Sequence, residues 1–468
     1  MEPSSDFGIV GLGVMGRNLM LNVTDHGFSA IGLDVDAEKA AALEASASGR
    51  PMQATTAAAE FAAALKLPRK IMLMVPAGQA VDSAISTLSP FLSSGDLIID
   101  GGNSHFTDTS RRQAELEAQG LHFLGAGISG GAEGARRGPS IMPGGTPEAY
   151  RLAAPILEAI AAKVDGQPCS AHLGNGSAGH YIKMVHNGIE YALMQLIAEA
   201  YDILKFCGGL NTRELHQVFK TWSRSALQSY LIAITAQILL RGDDRGEGWL
   251  LDKIQDQARQ KGTGKWTSQN AMDLGIPTPT TDAAIVMRGL SALKMERKMI
   301  APHYTQAVDN PPTASKALVI AQMGQALHFA FIAAFAQGMH QLTEASQQYG
   351  YGLNLEGIAR TWRGGCIIRA ALLDSIQQAY AEQPALRHLF LSPVFHQPVL
   401  HGQQAARAII KTAIDHGRPA LALSAALHYF DACRCERLPL NLVQAQRDFF
   451  GAHTFERVDV EGAFHVDW

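Results

Sequence analysis

The sequence predicts an α/β Rossmann-type N-terminal domain on a parallel sheet, then a large all-α domain built on a duplicated helical unit, then a C-terminal tail. Three observations predict it. From Phe7 to about residue 175, short β-branched or apolar runs alternate with Ala-rich helical stretches, the rhythm of βαβ units. From Tyr181 to Ile376 the pattern changes to long segments of helical period with few strand candidates. Between the first apolar run and the first helical one stands a GxGxxG. The expected divisions are residues 1–178, 179–438 and 439–468.

The first strand is Phe7–Val10, and Gly11, Gly13 and Gly16 follow it before a helix that runs through Met15, Leu19 and Met20. Each glycine has a reason. The first makes the tight turn, the second lets a pyrophosphate approach the backbone, and the third lets helix lie against strand. The phosphates then rest on the helix N-terminus, where free N–H groups and the dipole favour negative charge. Ser29–Leu33 is the second strand and ends at Asp34, 18 residues past Gly16, where a carboxylate can accept bonds from the ribose hydroxyls of NAD. This strand–turn–helix context makes the N-terminal domain a Rossmann-type dinucleotide-binding unit. Lys70–Val75, Asp96–Asp100, His122–Ala126 and Ser140–Met142 supply further strands. In the helical half, Leu215, Val218, Thr221 and Trp222 recur 140 residues later as Leu355, Ile358, Thr361 and Trp362. That recurrence indicates a repeated helical unit, against the alternative of chance likeness between amphipathic helices. After Pro439 a GAH break and a mixed polar ending read as a tail.

Composition removes several function classes. Lys and Arg total 39 against 43 Asp and Glu, so a net charge of −4 offers no basic field to nucleic acid. At 47% hydrophobic and 18% charged, the chain can fill large cores and does not resemble a disordered polymer. Cys169, Cys207, Cys366, Cys433 and Cys435 form no CxxC pair, which points away from structural zinc and disulfides and toward a reducing cytoplasm. The N-terminus lacks the basic and apolar regions of a signal peptide, and apolar runs such as Ala330–Ala336 fall short of the ~18 residues of a membrane span.

Two motifs are set aside. Gly127, Ser129 and Gly131 satisfy the GxSxG of hydrolase nucleophile elbows, but the dinucleotide fingerprint already occupies the N-terminal βαβ unit. Gly262–Lys265 reads GTGK, yet Arg259 and Trp266 stand where a Walker loop needs Gly and Ser or Thr. The segment GHYIKMVHNGIEYALMQLIAEA is more telling, because it puts Lys183, His186, Asn187, Glu190 and Tyr191 on one helix face. A solvated polar stripe is the plain alternative, but these five make a donor and acid/base set. The Gly174–Gly179 stretch before them suggests a close approach to the nucleotide domain. Lys261, Arg288 and Arg447 are further cations, with Thr263 and His453 near two of them.

Taken in order, GLGVMGRNL (11–19), IDGGNS (99–104), GISGGAEGARRGPSIMPGG (127–145), KMVHNGIEY (183–191), QKGTGKWT (260–267), WRGGCIIR (362–369) and QRDFFGAHTFE (446–456) resemble the long-form decarboxylating 6-phosphogluconate dehydrogenases. The resemblance implies Lys183 as general base toward the 3-hydroxyl, then as the ammonium stabilising the enediol left by decarboxylation, and Glu190 as the acid that protonates it. It implies Asn103, Ser129, Gly130, Gly131, His186 and Asn187 around the sugar acid. It puts Tyr191, Lys261, Thr263, Arg288 and Arg447 around the phosphate, with His453 also at the substrate. Gly11, Leu12, Gly13, Val14, Met15, Gly16, Asp34, Val35, Asp36, Val75, Pro76, Ala77 and Asn103 fall at the cofactor end. No metal is implied. The resemblance further implies a homodimer whose tail reaches the neighbouring active site, with 6-phosphogluconate as substrate and neither membrane nor nucleic acid as partner.

The chain departs from the family's commonest pattern in three places. Asp34, Val35 and Asp36 stand where Asn-Arg-Thr is usual, Pro76 replaces Lys, and Ala132 replaces the first Glu of SGGEEGAR. The first two predict NAD in place of the usual NADP. Two other readings stand beside this one. The shorter 3-hydroxyisobutyrate-type β-hydroxyacid dehydrogenases share the Rossmann start, an SGG turn and a catalytic Lys but lack QKGTGKW and the FGAH tail. A non-catalytic dinucleotide-binding regulator would have no use for Lys183 and Glu190.

Overall fold

The computed structural model describes residues 4–260, 262–304 and 315–468. Its N-terminal part is a seven-stranded sheet of order β3-β2-β1-β4-β5-β6-β7, with β1 Phe7–Val10, β2 Ala30–Leu33, β3 Met52–Thr55, β4 Lys70–Leu73, β5 Leu97–Asp100, β6 His122–Ser129 and β7 Ser140–Gly145. Helices α1 Val14–Asp25, α2 Ala37–Ala45, α3 Ala58–Ala64, α4 Gln79–Leu88, α5 Phe106–Glu117, α6 Gly131–Arg137 and α7 Pro147–Ile160 alternate with the strands. Every residue of β1, β2 and β5 is buried, as a parallel sheet covered on both faces requires. Two details differ from the sequence reading. Strand β3 was not foreseen, because MQAT lies at the sheet edge, only partly buried, and carries little apolar signal. Strand β7 runs antiparallel to β6: a parallel return needs a crossover of a dozen or more residues, and the link here is only residues 130–139.

A short hairpin of β8 Lys163–Val164 and β9 Gln167–Pro168 leads to the helical part. It comprises α8 Ala178–Phe206, α9 Thr212–Trp222, α10 Tyr230–Leu239, α11 Thr263–Asp273, α12 Pro279–Ala292, α13 Lys294–Tyr304, α14 Lys316–Gln348, α15 Leu355–Trp362, α16 Leu372–Glu382, α17 Pro393–Asp415 and α18 Leu421–Cys433. A long helix followed by two short ones occurs twice, as α8–α9–α10 and as α14–α15–α16, with the recurring residues on α9 and α15. Helices α9 and α15 are both capped by an Asn side chain and both end at a buried Trp. The units meet at a bridge in which Tyr230 N donates to Arg369 O and Ala371 N to Gln228 O.

Helix α14 corrects the expectation that no segment is apolar enough to span a membrane. By length and composition Lys316–Gln348 is, and 61% of its most apolar window is buried within the protein. It packs chiefly against α17 and α8 as a core helix. Glu199 of α8 supplies the N-terminal cap that α18 lacks, accepting from Ala422 N at 2.8 Å and Leu423 N at 2.9 Å.

Helix α8 is also the seam with the sheet. A Cβ at Gly179 would meet Gly125 O at 2.1 Å and Met142 O at 2.4 Å, so only glycine permits the contact that brings the Lys183 face over the strand ends. The tail is more structured than its sequence suggested. It forms α19 Leu440–Gly451 and a hairpin of β10 Phe455–Glu456 with β11 Ala463–Phe464. The fully buried Asp448 knots it, accepting from Thr454 N, the His465 ring and Trp468 Nε1, each at 2.9 Å.

Candidate active site

The strand order reverses between β2 and β4 on either side of β1, which opens a crevice at the C-terminal strand ends where a dinucleotide fits. The loop after β1 passes the steric test for one. Gly11 has φ +93°, and a side chain at Gly16 would strike Gly11 O at 1.9 Å, whereas nothing lies within 4 Å of a Cβ built on Gly13. The open side of the turn therefore faces free space. Helix α1 has no side-chain cap, which leaves the N–H groups of its first turn for an anion. Asp34 pins the loop, taking Leu12 N on Oδ2 at 2.7 Å and Asp36 N on Oδ1 at 3.0 Å. Val35 projects into solvent, 99% exposed. Asp36 caps α2 through Glu38 N, and Lys39 Nζ lies 3.8 Å from Asp34 and 3.5 Å from Asp36. Val75, Pro76 and Ala77 line the loop after β4, and Asn103 is exposed on the turn after β5.

Across the strand ends lies the polar face of α8, and it is buried. Lys183 is 7% exposed, His186 is sealed, and Asn187 and Tyr191 are covered. A solvated stripe is thereby excluded. Lys183 Nζ donates to Asn187 Oδ1 at 2.9 Å. That oxygen also lies 3.2 Å from His186 Nδ1, so Nδ1 carries the proton and Nε2 is left to accept from Ser129 Oγ at 3.4 Å. Lys183 lies so tightly over β6 that a side chain at Gly127 would meet its Cβ at 2.3 Å.

Burial sets the protonation states. It lowers the Lys183 ammonium's pKa, against the pull of Glu190. It lowers His186 well below the usual imidazole range, helped by Lys183. Glu190 is raised by burial, with Lys183 and Arg288 opposing. The Glu190 Oε2 to His186 Nδ1 approach of 3.9 Å is therefore not an ion pair, because His186 is held neutral.

Arg288 stacks over the Tyr191 ring at 3.5 Å and donates to Arg259 O. Gly264, at the start of α11, packs on the same ring. Thr263 opens α11 beside Gly262, and the helix has no side-chain cap. A tyrosine, a cation and a free helix start thus share one end of the Lys183 face.

The 6-phosphogluconate dehydrogenase C-terminal domain model matches residues 179–468, and the NAD binding domain model of the same enzymes matches residues 6–174. The chain belongs to the 6-phosphogluconate dehydrogenase family. Among its relatives, a "6-phosphogluconate dehydrogenase, decarboxylating" from Synechococcus elongatus is 50% identical over 99% of each chain. A Bacillus subtilis relative named as NADP(+)-dependent and decarboxylating is 48% identical over 98% of each. The solved Plasmodium falciparum 6-phosphogluconate dehydrogenase superposes with a TM-score of 0.97 at 40% identity, covering 99% of this chain and 100% of that one.

Several residues that the family resemblance implied come together in one chain: Lys183, His186, Asn187 and Ser129 by direct contact, with Glu190, Tyr191 and Arg288 adjoining. Gly130 and Gly131 carry the left-handed turn after Ser129, at φ +118° and +63°. Ser129 is not among the non-glycine residues of positive φ, whereas a hydrolase elbow puts its nucleophile on a strained turn. Lys261 lies outside the described residues. Arg447 and His453 make their contacts within the tail, with Gln444 and Phe450 respectively. Sequence reasoning gave no role to Trp362 and Cys366. Trp362 sets its edge against the His186 ring at 5.7 Å. Cys366 is fully buried and its thiol, pushed by burial up to about 12, stays protonated. Their only signal was the WRGGCIIR stretch. Among the described residues, no group of three or more His, Cys, Asp or Glu is placed to hold a metal ion.

Proposed function

We propose that this chain oxidatively decarboxylates 6-phospho-D-gluconate to D-ribulose 5-phosphate and CO2, with NAD as the preferred acceptor. The observation that carries the reading is the buried chain Lys183–Asn187–His186–Ser129 lying across the strand ends from an open glycine turn. A bound nicotinamide dinucleotide supplies the hydride acceptor. Asp34, the Gly11–Gly16 loop, Val75–Ala77 and Asn103 hold it. Lys183, neutral at the outset, takes the 3-hydroxyl proton as hydride leaves carbon 3. The 3-keto acid has its carboxylate β to the carbonyl, so loss of CO2 sends the electron pair into that carbonyl. The Lys183 ammonium returns its proton to the enolate oxygen, giving an enediol. Glu190, its pKa raised by burial, then protonates the carbon that carried the carboxylate while Lys183, neutral again, takes back the enediol O–H proton, so that the ketone forms. Asn103, Ser129, Gly130, Gly131, His186 and Asn187 hold the sugar acid. Tyr191, Lys261, Thr263 and Arg288 surround its phosphate, where charge-assisted bonds are strong.

The direct test is absorbance at 340 nm with 6-phosphogluconate and each nicotinamide dinucleotide in turn. Reduction that depends on 6-phosphogluconate supports the reading, and no signal with either cofactor overturns it. Glu190→Gln is expected to slow ribulose 5-phosphate formation by about 10²-fold, the lower range for a lost proton donor. Unimpaired formation of that product removes Glu190 from the mechanism.

The reading extends to an obligate cytoplasmic homodimer in which residues 439–468 reach the partner's site. Residues 1–178 act as the dinucleotide domain and 179–438 as the substrate and dimerisation domain. Arg447 and His453 complete the neighbouring phosphate site. The support is a tail that folds on its own buried Asp448 while leaving Phe449 and Phe450 68% and 72% exposed, more apolar surface than an isolated tail explains. Mixing Lys183→Met chains with Arg447→Ala chains is expected to restore up to about a quarter of wild-type activity, because each hybrid owns one intact site of two. No rescue despite demonstrated subunit exchange excludes the shared site.

A further inference from the structure

We propose that Arg112 is a positioning residue that holds the two cofactor-side loops at a fixed separation. The inference rests on the dinucleotide reading above and extends it to a residue that touches neither cofactor nor substrate. Arg112 projects from α5 and is 1% exposed, a setting in which a lone guanidinium is costly unless every donor is used. It uses them in two directions. Toward the loop after β4, Nη2 donates to Gly78 O at 3.0 Å and to Asp82 Oδ2 at 3.1 Å, while Nε donates to Asp82 Oδ1 at 2.8 Å. Toward the turn after β5, Nη1 donates to Ser104 Oγ at 3.3 Å and lies 3.5 Å from the sealed Asp100.

Asp100 in turn shapes that turn, accepting from Gly102 N at 3.0 Å and from Ser104 Oγ at 2.6 Å. Asn103 sits between those two residues. Val75, Pro76 and Ala77 sit immediately before Gly78. One planar side chain therefore ties the segment at 75–78 to the turn that presents Asn103, at the ends of neighbouring strands β4 and β5. Arginine is required for this, because a lysine ammonium cannot meet Asp82 in a fork and reach Ser104 at the same time. A purely stabilising ion pair has no need to end on a loop carbonyl on one side and a turn hydroxyl on the other.

The test is calorimetric titration of NAD, and separately of 6-phosphogluconate, into the full-length wild type, Arg112→Lys, Asp82→Asn and Ser104→Ala, with melting curves alongside. Arg112→Lys and Asp82→Asn are expected to weaken NAD binding by about tenfold, the loss of one or two charged hydrogen bonds. Binding of 6-phosphogluconate, which meets the clamped segments only through Asn103, should weaken clearly less than that of NAD. Ser104→Ala is expected to lower kcat more than it raises the Kd for NAD, since it frees only the Asn103 turn. NAD affinity unchanged in folded Asp82→Asn, or equal losses for NAD and 6-phosphogluconate, overturns the clamp. Should Arg112→Lys fail to fold, Asp82→Asn decides alone. Because the titrations read binding without turnover, failure of the dehydrogenase reading leaves the wild type silent at 340 nm but the clamp still measurable.

Discussion

Lys183→Met is expected to lower kcat by about 10²- to 10⁴-fold, the range for loss of a general base, while NAD binds nearly as in the wild type. Methionine keeps the unbranched stem that lies against Gly127, so the close approach of α8 to β6 survives. What disappears is one donor to Asn187 Oδ1 and the amine that, among the described residues, this face of α8 presents. His186 cannot substitute: its Nδ1 proton points to Asn187, its Nε2 to Ser129, and burial holds it neutral far below the usual range. The same burial lowers the Lys183 pKa, which favours the neutral amine that the first step needs. The wild-type rate should therefore fall as pH drops through that lowered pKa and protonates the base. The residual rate of Lys183→Met should lack this limb. Activity within about tenfold of wild type would refute the base assignment. Loss of NAD affinity in the variant would show instead that Lys183 supports the fold of the crevice.

Much of this site was legible in the sequence because its chemistry is local. Lys183, His186, Asn187 and Glu190 recur at helical spacing, so their shared face follows from 3.6 residues per turn alone. The glycine turn after β1 and Asp34 after β2 likewise lie within one βαβ unit. What the sequence hid depends on contacts between distant residues. Ser129 meets His186 across 57 positions, Asp448 gathers Trp468 from 20 positions on, and Arg112 reaches back 34 positions to Gly78. Nothing in the residues around Arg112 distinguishes it from Arg111, which stays exposed and pairs with Asp82 and Glu115. The antiparallel β7 was hidden for a similar reason, since strand direction is set by connection length and packing, not by apolar runs. In Asp34 the sequence showed one role and the structure adds another: the carboxylate expected to read ribose also holds the glycine loop through Leu12 N.

That second role sharpens the cofactor prediction, which family membership leaves open. Wild-type kcat/KM for NAD is expected to exceed that for NADP by about 10²-fold, because a 2′-phosphate brings roughly −2 charge to the end of β2. The carboxylate there is immobile. Asp34 is 8% exposed and fixed by two backbone donors, so it cannot swing away from a phosphate as a surface carboxylate would. Its oxygens keep further lone pairs for ribose hydroxyls, which donate where a phosphate cannot. Asp36 is fixed as the cap of α2, and the nearby Lys39 faces both carboxylates, leaving its charge already compensated. Val35 offers neither donor nor charge. Being fully exposed, it can become arginine at little cost in stability. Val35→Arg alone should raise kcat/KM for NADP by about tenfold through a charge-assisted fork to the phosphate. Asp34→Asn should add to it by removing the repulsion, but it leaves either Leu12 N or Asp36 N without its acceptor, so the double variant should melt at a lower temperature than Val35→Arg. Steady-state comparison of the two cofactors decides the matter. A wild-type kcat/KM for NADP equal to or above that for NAD would refute the preference, and loss of that NADP activity in Lys39→Ala would then identify Lys39 as the phosphate's partner.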